Sequence, residues 1–206
     1  MQTCPTQCIL KRMTEKESLY QETSVVMLME GMLIEFLVDQ TVLVAEVDYF
    51  HELSDFAYTA LENKIPLNDH KYTSIKEEYR MDTPPKFAGW LCKLIDDHFD
   101  LHKPANGIYG VYPRVSGMWT NRMHKGDQHF PHQHKNSLYS FAAYVKTGPA
   151  DAPFYFIKDN QGVPVFIDEN SVGNILVFPS TLIHTVYPKQ TDGERISVSG
   201  NVIVTT

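Results

Sequence analysis

The sequence predicts a mainly β protein of the α+β class, with a jelly-roll core that is braced by N-terminal helices. Short β-rich runs fill the second half of the chain, turn residues separate them, and helical periodicity is confined to the first half. Evenly spaced strands with no helices between them are typical of a sandwich or jelly roll, because a parallel sheet needs a crossover helix after each strand.

The first segment of the chain is expected to contribute little regular structure before one strand. Residues 1–24 are polar and aperiodic, which predicts a weakly structured lead-in. Residues 25–47 are apolar and become β-branched toward their end, where Val42 and Val44 lie. This pattern predicts a strand near the end of the segment, and the strand lengthens one sheet of the core.

Two amphipathic helices are predicted between this strand and the β-rich half. In 48–63, apolar side chains recur at helical spacing and Asp48 is placed to act as the N-cap. In 84–100, Pro84 and Pro85 occupy the first turn and an apolar stripe follows. Each stripe needs a packing partner, so we expect the helices to lie on one outer face of the β core.

The β-rich half begins after Pro104, where short apolar runs alternate with turn residues such as Gly148-Pro149. The predicted strands cover 107–113, 117–123, 138–146, 153–158, 163–167, 174–179 and 196–204. We therefore expect a single domain over 25–206, in which the strand and helices of 25–104 pack on a jelly-roll core at 105–206.

Composition excludes several classes of protein. The chain has 206 residues, 43% of them apolar, and a net charge of −7. A general phosphate-backbone binder needs an excess of Lys and Arg, so nucleic acid is not the expected partner. Cys4, Cys8 and Cys92 are too few, and odd in number, for a disulfide framework. No apolar run reaches membrane length and no secretion signal is evident, so a cytoplasmic protein is expected.

The histidine spacing indicates a metal site. His132-Gln-His134 places two imidazoles at i and i+2, which on a strand point to the same face. His184, in an apolar strand, is the natural third donor. Two or three neutral imidazoles on a rigid sheet leave positions open on a divalent iron, where a bidentate 2-oxo acid and dioxygen can bind.

Arg195 would supply a cation for the distal carboxylate of such a 2-oxo acid. It follows His184 by eleven residues, and one hairpin would put both on neighbouring strands. Arg195 and Ser197 are again an i, i+2 pair, and a guanidinium fork beside a hydroxyl suits a carboxylate. The competing interpretation is a surface ion pair of Arg195 with Asp192 or Glu194.

A longer series of motifs stands in one order along the second half of the chain: Trp119-Thr-Asn121, Gly126-Asp127, His132-Gln-His134, Ser137-Leu-Tyr-Ser140, Tyr144-Val145, Gly173-Asn-Ile-Leu-Val-Phe-Pro-Ser180, His184-Thr-Val-Tyr-Pro188 and Arg195-Ile-Ser-Val-Ser-Gly-Asn201. This series resembles the 2-oxoglutarate/Fe(II) oxygenases related to the prolyl hydroxylases. The resemblance covers residues 105–204, nearly half of the chain.

The resemblance implies a double-stranded β-helix that holds one Fe(II) through His132 and His184. It also implies a dioxygenase that hydroxylates a C–H bond of a small-molecule or peptide substrate, while 2-oxoglutarate is converted to succinate and CO2. The residues that it implies around 2-oxoglutarate are Arg195 at the distal carboxylate, Ser197 beside it, Asn121 and Tyr144.

His134 stands where the wider superfamily has an aspartate or glutamate ligand, and three interpretations are open. In the first, His132, His134 and His184 all bind iron. In the second, His134 lies outside the coordination sphere. In the third, Asp127 or His129 supplies the third ligand. We favour the first, because imidazole suits iron and His-x-His is the usual form in this oxygenase group.

Two other functions are compatible with the same residues. A cupin-like site of three histidines could serve a metal dioxygenase or an isomerase that does not use 2-oxoglutarate, in which case Arg195 has no role in activity. A jelly roll is also a common structural or carbohydrate-binding scaffold, in which the histidines are incidental.

Overall fold

The computed structural model describes residues 33–35, 41–67, 72–99, 101 and 111–205. The earlier stretches supply three strands and two helices: β1 (Leu33–Glu35), β2 (Thr41–Glu46), α1 (Phe50–Asn63), β3 (Glu77–Met81) and α2 (Pro85–Phe99). The last stretch supplies eight strands: β4 (Tyr112–Met123), β5 (His129–His132), β6 (Tyr139–Lys146), β7 (Asp151–Lys158), β8 (Gln161–Ile167), β9 (Asn174–Pro179), β10 (Ile183–Val186) and β11 (Arg195–Thr205). A 3-10 turn at Glu169–Ser171 joins β8 to β9.

These strands form two antiparallel sheets packed face to face. The seven-stranded sheet has the order β1-β2-β9-β6-β11-β4-β3, and the four-stranded sheet has the order β5-β10-β7-β8. From β4 onward, the chain crosses from one sheet to the other at every connection except the β7–β8 hairpin. A chain that passes repeatedly between two packed antiparallel sheets is a jelly roll, so the predicted fold class is confirmed.

The helices pack on the outer face of the seven-stranded sheet. Leu53, Phe87 and Leu91 of the helical stripes are fully buried and join strand residues such as Val198 in one hydrophobic cluster. Each such side chain contributes roughly 1.5–3 kcal/mol by leaving water. The prediction that the helices brace one outer face of the β core is therefore confirmed.

A second hydrophobic cluster fills the space between the two sheets. Phe154 and Phe156 of β7 pack on Phe178 of β9, with ring centroids 5.6 Å and 5.0 Å apart. Because side chains alternate along a strand, the Ile196 side chain of β11 points toward the helices and the Arg195 side chain points toward the four-stranded sheet. This alternation places polar residues inside the jelly roll.

The helix starts differ from the prediction at one point. Because α1 begins at Phe50, its N-cap residue is Tyr49, which makes no side-chain capping hydrogen bond, and the prediction of Asp48 as N-cap is wrong. The N-terminus of α2 is instead capped from α1, since Phe87 N donates to Glu52 Oε2 at 2.8 Å. A carboxylate at this end of a helix accepts from N–H groups that have no partner within the helix.

Most of the predicted strands are present with shifted ends, but two predictions need correction. Strands were expected separately at 107–113 and 117–123, whereas residues from Tyr112 to Met123 form one strand that continues through Gly117. Strand β3 was not predicted, and β5 and β10 were expected only as strands at His132 and His184, without ranges. The strand expected near the end of 25–47 is β2, which pairs with β9 and so lengthens the seven-stranded sheet as predicted.

Some expectations lie outside the described residues: the lead-in at 1–24, the state of Cys4 and Cys8, and the start of the strand predicted at 107–113. Cys92, on α2, is a free thiol. Neither α1 nor α2, the two helices of the described stretches, combines the length and apolarity that a membrane crossing requires.

Candidate metal and co-substrate site

Three imidazoles converge beside the four-stranded sheet. His132 is the last residue of β5 and pairs directly with His184 of β10. His134 lies two residues beyond β5, and its N–H donates to Ser180 O at 2.8 Å. One ligand atom from each of the three lies within 4.8 Å of the others. With metal–nitrogen bonds of about 2.1 Å, small side-chain rotations bring all three within reach of one ion.

Two of the geometric arguments made from the sequence are wrong, although the residues do come together. Strand alternation does not align His132 with His134, because β5 ends at His132 and a backbone hydrogen bond directs His134 instead. The hairpin expected from His184 to Arg195 is absent, because β10 lies in the four-stranded sheet and β11 in the seven-stranded sheet. The two residues therefore approach the site from opposite sheets.

Backbone carbonyls set the orientation of two of the imidazoles. His132 Nδ1 lies 2.7 Å from Phe130 O, and His184 Nδ1 lies 2.9 Å from Leu182 O. A carbonyl oxygen can only accept, so each Nδ1 carries the proton in these bonds. The lone pair is then on Nε2, which is the atom available to a metal ion.

The three imidazoles are held in the neutral form. Burial lowers the pKa of His184 well below its usual value, and the charge of His132 lowers it further. Burial, and then the charge of His132, lowers the pKa of His134 to about 4. Burial also lowers the pKa of His132, against a raising effect of the hydrogen bond to Phe130. Neutral imidazoles bind metal ions without first losing a proton.

Aromatic side chains pack against the imidazoles. Phe154 stacks on His184, with ring planes 9° apart and centroids 5.5 Å apart. Tyr72 stacks on His132 at a centroid distance of 5.5 Å. These contacts restrict the rotation of the two rings, so the donor atoms are positioned before any metal binds.

A cavity of about 290 Å³ opens beside the imidazoles. The histidines, Tyr72 and Phe154 line one side, and Trp119 and Ser199 of the seven-stranded sheet line the other. Its volume is at the lower end for small-molecule sites, roughly 300–1,000 Å³. The metal-binding atoms therefore face a space that a small molecule or part of a larger one can enter.

Arg195 is buried between the sheets, with 2% of its side chain exposed. Nη1 donates to Ala152 O at 2.6 Å, and Nη2 lies 2.7 Å from Met123 Sδ. A thioether is a weak acceptor, so this second contact satisfies the guanidinium poorly. Burial lowers the pKa of Arg195, and its electrostatic interactions with Tyr144 and Asp151 oppose that effect. The guanidinium stays charged at neutral pH.

The alternative of a surface ion pair for Arg195 is wrong. Asp192 pairs with Lys125 at 3.1 Å, and Glu194 pairs with Lys146 at 2.7 Å. Both of these pairs lie at the surface, whereas the Arg195 side chain points into the protein. Its burial with incomplete hydrogen bonding is the feature that a carboxylate-binding arginine requires.

Three further polar side chains stand in a row beside Arg195. Asn121 of β4, Ser197 of β11 and Tyr144 of β6 are direct cross-strand partners, so they share one face of the seven-stranded sheet. In the described part of the chain, Arg195 Nε, Tyr144 Oη and Asn121 Oδ1 are buried without a hydrogen-bond partner. Each such atom costs about 1–3 kcal/mol if it stays unpaired. This face therefore fits a polar ligand.

The chemistry of this face suits a carboxylate in particular. Arg195 Nε–H is a donor, and burial raises the pKa of Tyr144, so the Tyr144 hydroxyl also keeps a proton to donate. Two unpaired donors, one of them charged, match the acceptor oxygens of a carboxylate. The four residues expected around the co-substrate are thus neighbours on one inner face.

The remaining sequence candidates occupy different positions. His129 lines the cavity, and burial together with the charges of His132, Arg195 and His134 lowers its pKa to about 3. Asp127 accepts a hydrogen bond from His124 N at 2.8 Å within its own turn and does not join the three-histidine cluster.

The structure also contains a buried ion pair that the sequence did not reveal. Lys189 Nζ lies 3.3 Å from Asp151 Oδ1, and neither side chain is more than 1% exposed. Arg195 Nη1 lies 3.9 Å from the same oxygen. In the sequence both Lys189 and Asp151 lie next to turn residues, where charged side chains are normally solvated.

Comparison with known proteins agrees with the fold and with the family that the sequence motifs resemble. Residues 117–201 match a family model described as "Putative 2OG-Fe(II) oxygenase". No curated protein matches the sequence significantly. Similar solved structures include a Pseudomonas putida prolyl-4-hydroxylase, with a TM-score of 0.54 and 15% identity over 78% of this chain and 91% of that chain.

Two further solved structures have the same fold. One is the viral collagen prolyl hydroxylase of Paramecium Bursaria Chlorella virus-1 in complex with 2OG, with a TM-score of 0.54 and 12% identity over 80% of this chain and 96% of that chain. The other is OsALKBH1, with a TM-score of 0.54 and 13% identity over 82% of this chain and 99% of that chain.

The jelly roll and its inward-facing histidines fit a metal-dependent enzyme of the oxygenase type. The match of residues 117–201 confirms the resemblance that the sequence motifs predicted, so this chain is similar to the 2OG-Fe(II) oxygenases. It is therefore an oxidoreductase whose cofactors are Fe(II) and 2-oxoglutarate. The three-histidine cluster and the polar row beside Arg195 described above fit both of these groups.

Proposed function

We propose that this chain is a dioxygenase that hydroxylates a C–H bond of a small-molecule or peptide substrate, with release of succinate and CO2 from 2-oxoglutarate. One observation carries the proposal: three neutral imidazoles lie beside a cavity, and a buried arginine with an unpaired donor lies on the opposite sheet. The prolyl hydroxylases among the similar structures support hydroxylation as the reaction type.

The proposal gives each group of residues a separate task. His132, His134 and His184 would hold Fe(II) through their unprotonated nitrogens. Arg195 and Tyr144 would bind the distal carboxylate of 2-oxoglutarate, with Ser197 and Asn121 on the same face. Bound Fe(II) supplies the reactivity toward dioxygen that amino-acid side chains lack.

The protein contributes orientation and charge. A site of three neutral ligands leaves the full positive charge of a divalent ion for an anionic co-substrate to neutralise. Arg195 is buried, and its attraction for a carboxylate is stronger there than in water. Phe154 and Phe178 line the cavity and limit the water that can enter. The substrate would enter beside Tyr72, which is 49% exposed and lines the cavity.

The proposal is tested by following succinate formation from 2-oxoglutarate under air, with Fe(II) added and then removed by a chelator. Wild-type protein should form succinate slowly without substrate and faster when a true substrate is present. In ¹⁸O₂, one labelled atom should appear in succinate and one in the hydroxylated product. His184→Ala should abolish succinate formation, whereas His124→Ala, a change at an exposed histidine outside the cluster, should leave it unchanged.

A further inference from the structure

A buried cluster of three charged side chains lies beside the polar row of Asn121, Ser197 and Tyr144. Lys189, Asp151 and Arg195 are each no more than 2% exposed, and Asp151 Oδ1 lies 3.3 Å from Lys189 and 3.9 Å from Arg195. Two of the three are cations and one is an anion, so the cluster carries one excess positive charge. A buried charge is costly without a partner. The excess positive charge therefore favours the binding of an anion next to the cluster.

Asp151 lies closer to Ala152 N and Lys189 than to Arg195. Oδ1 accepts a hydrogen bond from Ala152 N at 2.7 Å, and Lys189 is its nearer cation. The distance from Arg195 Nη1 to Asp151 exceeds that of a hydrogen bond, and Nη1 donates to Ala152 O instead. The carboxylate that could neutralise Arg195 is thus held by a different residue.

We propose that Lys189 is a positioning residue for co-substrate binding: by holding Asp151, it keeps the Arg195 guanidinium available to the distal carboxylate of 2-oxoglutarate. This inference rests on the proposed function. Without the Lys189 charge, Asp151 would pair with Arg195, and the cluster would be neutral. The co-substrate would then bring an uncompensated negative charge into a buried space.

Backbone hydrogen bonds help to hold the loop that carries Lys189. Its backbone N–H donates to Asp127 O at 3.0 Å and its carbonyl accepts from Gly126 N at 2.9 Å, and these bonds fix the loop between β10 and β11. The side chain makes one other polar contact, a donation from Nζ to Thr191 Oγ1 at 2.6 Å. Lys189→Met keeps the backbone bonds and most of the side-chain volume, so it removes mainly the charge.

The test measures the Kd of 2-oxoglutarate by calorimetry on protein loaded with Mn(II), which binds the co-substrate without turnover. Lys189→Met should weaken binding by about tenfold or more. Lys189→Arg, which keeps the charge, should bind within threefold of wild type. The double variant Lys189→Met/Asp151→Asn restores one excess positive charge and should also return to within threefold of wild type.

The outcomes distinguish a failure of the proposed function from a failure of the role of Lys189. If wild-type protein loaded with Mn(II) does not bind 2-oxoglutarate, the proposed function fails and this inference fails with it. If wild type binds and Lys189→Met binds equally well, only the role of Lys189 is overturned. If the double variant folds and holds Mn(II) like wild type but stays as weak as Lys189→Met, the charge explanation is also overturned. Circular dichroism and metal titration establish folding and loading for each variant.

Discussion

At the residue scale, the site depends on the protonation and orientation of a few buried side chains. His132 and His184 each donate from Nδ1 to a carbonyl, which leaves Nε2 for a metal ion. Burial keeps both imidazoles neutral. Arg195 and Tyr144 present buried donors that have no partner among the described residues. The same low-polarity surroundings thus prepare a metal site and an anion site.

His134→Ala tests whether the third histidine is a ligand. If all three imidazoles bind iron, the variant should lose more than about 100-fold in Fe(II) affinity, because loss of a supporting residue outside the coordination sphere typically costs only 10–100-fold. Anaerobic competition with a chelator measures the affinity, and His124→Ala serves as the control. A loss of 100-fold or less would favour the interpretation in which His134 lies outside the sphere.

The stability of the metal-free protein should depend on pH through His129. Burial first, and then the charges of His132, Arg195 and His134, lowers its pKa to about 3, whereas in the unfolded chain it is about 6.5. Between these values the unfolded state binds the extra proton, so the free energy of unfolding falls as pH falls, by up to about 1.4 kcal/mol per pH unit.

His129→Gln removes the contribution of His129, while the other buried histidines keep theirs, and the variant is compared with wild type by urea unfolding at pH 7, 6 and 5. The variant should lose less stability than wild type as the pH falls across this range. Equal losses would mean that His129 is not held neutral by its surroundings. The comparison of the two proteins cancels the effect of carboxylates, which begin to titrate at the acid end of the range.

The residues of the site could be predicted from sequence only where chemistry and spacing coincide. His132, His184 and Arg195 stand out because imidazoles and a guanidinium are unusual in apolar strands. Lys189 and Asp151 could not be recognised, since their burial results from contacts between loops that are distant in sequence. His134 was selected for a reason that the structure corrects, because its position depends on Ser180.

At the element scale, strand pairing brings the histidines together. The antiparallel pairing of β5 with β10 places His132 opposite His184, and the pairing of β11 with β4 and β6 aligns the polar row beside Arg195. Apolar strands such as β6 and β9 could be predicted from their composition. Strand β3 carries mostly charged residues and β5 contains a proline, so neither has the alternation that predicts a strand.

Gly200→Ala should destabilise the fold through β11. A Cβ at Gly200 would lie 2.5 Å from Phe141 Cζ and 2.7 Å from Gly117 O, and the second contact is with backbone that cannot move easily. The expected loss is about 1–3 kcal/mol in the free energy of unfolding, the usual effect of overpacking. Chemical unfolding monitored by circular dichroism measures it.

Gly89→Ala is the matched control for this change. Gly89 lies on α2, and a Cβ there would meet nothing within 4 Å. Because alanine is the better helix former, the control should stabilise the protein by about 0.5–1 kcal/mol. If both alanine variants destabilised to the same degree, the close packing around Gly200 would not be the cause.

At the scale of the whole molecule, the two sheets carry different parts of the site. The four-stranded sheet carries His132 and His184, and the seven-stranded sheet carries Arg195 with its polar neighbours. A co-substrate that reaches both sets must therefore span the space between the sheets. The helices lie on the opposite face of the seven-stranded sheet, where they support β11 and leave the inner space open.

The central claim is that the histidines hold Fe(II) while Arg195 holds the co-substrate. Anaerobic titration of metal-free protein with Fe(II) and 2-oxoglutarate tests it most directly, because chelation of iron by the 2-oxo acid gives a weak visible charge-transfer band. Wild type should develop the band. His184→Ala should not develop the band, because it does not bind the metal. Arg195→Ala should reach the same band intensity only at on the order of 100-fold higher 2-oxoglutarate concentration. Iron binding without any band in wild type would contradict the account.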